Sequence, residues 1–170
     1  MEPGKPVPMP GDEAAGVMGL AMFYHLTRSA AEDTAANLVG RAVGQGWRVM
    51  IRGTDAERLG RLDAQLWLGP PETFLPHGVQ GGAQDADQPV LLGVGQITNG
   101  ARALMLVDGA EVSLPEATTM DRVWVIFDGA DTAALSHARG QWRTLTEAGI
   151  SAQYWSEESG SWAKKAEKGA

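Results

Sequence analysis

Cysteine is absent from the 170 residues, which removes disulfides, thiolate zinc ligands and thiol nucleophiles together and suits a reducing compartment. Basic residues are outnumbered, with 14 Lys and Arg against 21 Asp and Glu and a formal charge of −7. Non-specific attraction to DNA rests on Lys and Arg displacing counterions, so contact with DNA is expected to be local or made through another protein. Long apolar runs are also missing. VWVIF at 123–127 is typical of the longest, far short of the ~18 residues of a membrane span, so a soluble protein with no membrane contact is expected. Several chemical signatures are absent as well: no GxxxxGK[ST] loop, no HExxH or His-x-His, and no GxSxG elbow occurs. His25, His77 and His137 lack metal-ligand spacing, so no metal site is expected. The glycines of GVGQITNG at 93–100 follow a strand, but the next strand begins a few residues later. A phosphate loop needs a helix N-terminus there, so the segment reads as a turn and no cofactor is expected.

What is present suits one domain with a proper core, because 44% of residues are hydrophobic and 21% charged. The 22 Gly and 9 Pro promise many turns. Residues 1–20 are proline-rich without periodicity and read as a disordered leader. A signal peptide would carry positive charge ahead of its apolar stretch, whereas Asp12 and Glu13 stand there. A single domain over 21–156 follows, then a mostly flexible tail over 157–170. Within the domain, strands are expected at 22–26, 47–52, 90–93, 103–108, 122–127 and 150–155, alternating with helices at 30–45, 55–68 and 131–148. Ala35, Leu38, Val39 and Ala42 share one face of the first helix, and Leu59, Leu62 and Leu66 define the stripe of the second. Thr54 with Glu57 suggests a capping box for the second helix. Residues 69–88, with Gly-Pro-Pro and Gly-Gly, read as a long loop. The alternation predicts a three-layer α/β fold with a mostly parallel, twisted sheet, Rossmann-like in topology. Asp108-Gly109 and Asp128-Gly129 end strands where open sheets often bind ligands. They leave open a small nucleotide-binding enzyme using the carboxyl edge, although Asp-Gly is equally a favoured turn.

The last helix carries the most suggestive pattern. With Leu135 at zero and steps of about 100°, Trp142 falls at about 340°, Arg139 at about 40° and Arg143 at about 80°. Trp142 therefore stands at the border between the buried face and an arginine ridge, an arrangement suited to an acidic peptide with an apolar or aromatic end. The alternative is a core Trp142 beside two solvated arginines, Arg143 being favoured near the helix C-terminus.

A second set of residues widens the reading. LDAQLW at 62–67 is followed after six residues by FLPHG at 74–78, with FYHLT at the first strand, GWRVMIR at the second, then PVLL, NGARALMLVDGA, VWVIFDG and ARGQWRTLTEAGISAQYW in order. Over about residues 22–162 this resembles the chi subunit family of bacterial DNA polymerase III. The resemblance implies an α/β fold related to nucleotide-binding sheets but lacking the nucleotide site, and a non-catalytic subunit on the clamp-loader side of the replicative holoenzyme. It implies two partners, the psi subunit or another clamp-loader component and the acidic C-terminal tail of single-stranded DNA-binding protein, and hence a cytoplasmic, replisome-associated location. The family's basic, aromatic and basic tail-binding positions match Arg139, Trp142 and Arg143, with Trp where some relatives carry Tyr. Lys164 and Lys165 are possible additions. The psi-facing surface would involve Trp67, Phe74, Leu75 and Pro76, with His77 shaping the turn; a hydrophobic anchor of this kind suits an interface, while the alternative is that Trp67 and Phe74 pin the loop to the core.

Overall fold

A computed structural model describes residues 20–67 and 77–168. In chain order the elements are β1 (Leu20–Leu26), α1 (Ala31–Gly44), β2 (Val49–Arg52), α2 (Ala56–Trp67), β3 (His77–Val79), β4 (Val90–Gly93), β5 (Ala103–Leu106), α3 (Leu114–Thr119), β6 (Arg122–Asp128), α4 (Thr132–Glu147), β7 (Ala152–Ser156) and β8 (Ala163–Lys168). Of the expected leader, residues 1–19 lie outside the described residues, and Leu20 already opens β1. No helix among the described residues is long and apolar enough to cross a membrane.

The strands form one sheet in the order β3-β4-β2-β5-β6-β1-β7-β8. All pairs are parallel except β7 with β8, which is the expected mostly parallel architecture. Parallel strands are covered on both faces, so they read as continuous apolar runs; the six residues Arg122 to Phe127 of β6 are all buried. Side chains alternate between two cores. Met22, Tyr24, Ile51, Met105 and Trp124 meet the stripes of α1 and α2, and Phe23, Met50, Leu104, Val125 and Phe127 meet α3 and α4. At about 1.5–3 kcal/mol for each large apolar side chain fully buried, these two layers supply the main drive to fold. The expected stripes of α1 and α2 are both buried.

The structure departs from the expectations in four places. α3 was not foreseen, although Ser113 and Glu116 form a complete capping box with Pro115 in the first turn, an S-x-x-E signal legible in the chain. The α2 start is capped by Asp55 rather than Thr54: Asp55 Oδ1 accepts the backbone N–H groups of Glu57 at 2.9 Å and Arg58 at 3.4 Å, while the Thr54 hydroxyl donates to the Asp108 carbonyl at 2.8 Å. A carboxylate is favoured at the positive helix end. Within the expected loop, His77–Val79 forms a short edge strand on β4, and Gln80 continues the contact by donating its backbone N–H to Leu92. Finally, the tail expected to be mostly flexible contributes β8, antiparallel to β7. Its Lys-rich sequence reads as solvated because an edge strand bonds through its backbone while charged side chains guard the open edge.

One ion pair ties the carboxyl ends of the strands together. Arg52, at the end of β2, is buried and engages Glu116 bidentately at 3.0 and 2.7 Å, while also donating to the carbonyls of Gly95 and Glu111. The Arg52 guanidinium, with help from Ser113 and against the cost of burial, holds the Glu116 carboxyl down to about 2. A folded-state value below the ordinary one stabilises the protein above the unfolded carboxylate range, and the contribution is lost as pH falls through about 2. Glu116→Gln should therefore cost about 2 kcal/mol at neutral pH, and the gap should close as both proteins are taken from pH 5 to pH 2 in urea melts. A gap that stays constant over that range would contradict the assignment.

Candidate peptide-binding site

The Asp131 side chain caps α4 by accepting from Ala133 and Ala134 at 3.0 and 3.2 Å, and Ala138, Leu145 and Thr146 are buried beneath the helix. This docking turns Trp142 toward the sheet at the helix margin. Its ring meets Phe23 edge-on at 5.4 Å and Tyr154 at 6.0 Å. Phe23 and Tyr154 are register partners on β1 and β7 and stack at 6.5 Å with an 11° interplanar angle. His25 and Phe127, also paired across strands, complete the group, with His25 at 5.9 Å from Tyr154 and 5.2 Å from Phe127. Edge-to-face aromatic pairs of this kind contribute about 0.5–1.5 kcal/mol each beyond area burial.

The cluster grades from core to surface. Phe23 and Phe127 are buried, whereas Trp142, Tyr154 and His25 are half-buried. Arg139 and Arg143 are exposed beside them, and neither forms an ion pair among the described residues. Burial pushes the Tyr154 phenol above its ordinary value, and the nearby Arg139 charge partly offsets that. Glu158 is the acid facing this phenol, and it is paired with Lys165 at 3.4 Å. The structure thus sets Arg139, Trp142 and Arg143 along one helix and adds Tyr154, His25, Phe23 and Phe127, which the sequence reading had not connected with them. The signal for Phe23, His25 and Tyr154 is the alternation of MFYHL and ISAQYW, which places Phe23 with His25, and Ala152 with Tyr154, on the faces that meet α4, while Phe127 ends the apolar run VWVIF.

The other expected residues fall elsewhere. Lys164 lies on β8 over Trp155 and is paired with Glu167 at 3.2 Å. Trp67 is the last residue of α2; Phe74, Leu75 and Pro76 lie outside the described residues. His77 is buried, its Nε2 3.1 Å from the Asp63 carbonyl and 3.2 Å from the Asp63 carboxylate, which fastens β3 to α2. Cavities of about 290, 320 and 780 Å³ line other parts of the surface. The one beside α4 is bounded by His137, Gly140, Gln141 and Thr144 on the opposite flank from Trp142. None of these three cavities is lined by Arg139, Trp142 or Arg143, where two exposed arginines stand beside the half-buried indole.

At the carboxyl edge the anion donors are already engaged. Glu157 is buried and its Oε2 accepts the backbone N–H groups of Thr27, Arg28 and Ser29 at 3.0, 3.0 and 2.8 Å, while Oε1 takes the Ser29 hydroxyl at 2.8 Å. Burial disfavours this charge, but the donated hydrogen bonds prevail and hold the carboxyl below its ordinary range. In open α/β sheets the first strand-to-helix loop is where a phosphate is commonly cradled; here the protein's own carboxylate fills it. Asp108 is spent on Arg58 at 3.2 Å and Asp128 on the Ala130 N–H at 2.9 Å, and residues 93–100 connect β4 to β5 without a helix.

Comparison with known proteins gives the family. The model of the family described as DNA polymerase III chi subunit, HolC, matches residues 18–153. The chain belongs to the DNA polymerase III chi subunit family. It is also similar to the DNA polymerase III subunit chi of Pseudomonas aeruginosa, 33% identical over 78 residues, which cover 46% of this chain and 54% of that protein. The chain thus spans about half the length of the curated relative it matches. Within this chi-family sheet, Gly129 has a steric role: a Cβ there would collide with the His25 ring and press on the Leu26 carbonyl at 2.9 Å. Gly129→Ala should therefore displace His25 and lower stability by about 1–3 kcal/mol, read as a drop in melting temperature. An unchanged melting temperature would show that His25 has room to move.

Proposed function

We propose that the chain is a non-catalytic replication adaptor of the DNA polymerase III holoenzyme. In this reading the α4 ridge holds the acidic C-terminal tail of single-stranded DNA-binding protein, and the surface around Trp67, Phe74, Leu75, Pro76 and His77 joins psi or another clamp-loader component. DNA is reached indirectly, and the protein works in the cytoplasm at the replisome. The observation that carries the reading is the placement of Arg139 and Arg143, exposed and outside any ion pair among the described residues, beside the half-buried edge of Trp142. In a chain of charge −7 such a ridge is a local exception suited to a carboxylate-rich peptide. Guanidinium groups take the carboxylates, and the indole margin takes the apolar end.

The test is titration of the purified protein with a peptide copying the acidic, Phe-ended tail, followed by Trp fluorescence. Each charged hydrogen bond contributes about 1.5–3 kcal/mol, so Arg139→Glu should weaken binding by at least about tenfold, and added salt should weaken the wild-type complex. Equal affinity of wild type and Arg139→Glu would overturn the site assignment. The second surface is tested separately: Trp67→Glu should reduce co-purification with psi or the clamp loader while leaving peptide affinity within about twofold, because the two surfaces belong to different elements.

A further inference from the structure

Tyr154 and His25 come from strands at opposite ends of the chain, yet the tyrosine hydroxyl lies 2.7 Å from His25 Nδ1. Gly129, in the turn after β6, leaves the space the imidazole ring occupies. The half-buried setting of the phenol favours its protonated form, so we assign the bond as Tyr154 O–H donating to His25 Nδ1. The hydroxyl is then satisfied inside the protein. What remains facing the Trp142 margin is ring carbon from Tyr154, perpendicular to the indole at 77°.

We propose that His25 is a specificity-determining residue of the α4 site: by taking up the Tyr154 hydroxyl it leaves the Tyr154 face of the sheet-side wall apolar, and so selects acidic peptides that end in an aromatic or apolar residue over equally acidic peptides that end in a polar one. This rests on the peptide-binding reading given above. The reason is desolvation. A polar atom left without its partner stays hydrated in the empty site and must give up that water when an apolar side chain covers it, whereas a hydroxyl already bonded inside the wall loses nothing. Arg139 and Arg143 supply attraction to acid in either case. They do not read the terminal side chain.

The experiment compares two peptides of identical charge, one ending in Phe and one ending in Ser, on four proteins: wild type, His25→Leu, Tyr154→Phe and the double variant. Wild type should favour the Phe-ended peptide strongly. Each single variant strands one polar partner and should reduce that preference by about tenfold. The double variant has neither partner, and its preference should return to within about threefold of wild type. Arg139→Glu should weaken both peptides alike. If His25→Leu does not fold, as judged by its melting curve, Tyr154→Phe alone still decides the matter. Preference unchanged in the single variants, or both peptides weakened equally, would overturn the role of His25 while leaving the peptide site standing. Failure of wild type to bind either peptide would overturn both.

Discussion

The placement of β1 between β6 and β7 is the constraint on which the rest of this molecule depends. Seven residues of β1 pair in register with β6 and five with β7. Because side chains on a strand alternate between faces, that register sends Met22 and Tyr24 to one core and Phe23 and His25 to the other. A slip of one residue would exchange the two sets. The α1 and α2 layer would lose Tyr24, and the α4 margin would lose both Phe23 and His25. Folding energy and the candidate binding site therefore rest on the same ladder of hydrogen bonds.

Charge is distributed with the same economy. Arg52 and Glu116 neutralise each other where the ends of β2 and β4 meet α3, and Glu157 is held by the loop after β1. Arg102 is taken by Asp121 and rests over Trp47. These charges stabilise the fold, whereas Arg139 and Arg143 on α4 have no acid partner among the described residues. Exposed arginines of this kind add little to stability, and in the reading proposed above they serve a carboxylate-rich partner.

Glu157 also occupies the loop where sheets of this topology commonly cradle a phosphate. The N–H groups of residues 27–29 would suit an anion, and in this chain they receive one from the turn after β7. The carboxyl edge becomes a structural joint between β1, α1 and the β7–β8 edge. In the reading proposed above, recognition falls to the flank of α4, where the aromatic margin and the arginines lie together.

The sequence by itself determined what depends on neighbours along the chain. The α/β class, the buried stripes of α1 and α2, and the placing of Arg139, Trp142 and Arg143 along one helix all follow from the local periods of helix and strand. The missed α3 belongs here too, because its Ser113–Glu116 box was legible, whereas the cap of α2 was a contest between adjacent residues that Asp55 won by charge. Only the tertiary structure decided which strands lie side by side. Tyr154 meets His25 across 129 residues of sequence, Glu157 reaches a loop 128 residues away, and the lysine-rich end of the chain becomes an edge strand because β7 offers it an unpaired backbone. Local period fixes which face a side chain takes but carries no information about which strand will stand beside it; that choice comes from packing of both layers at once.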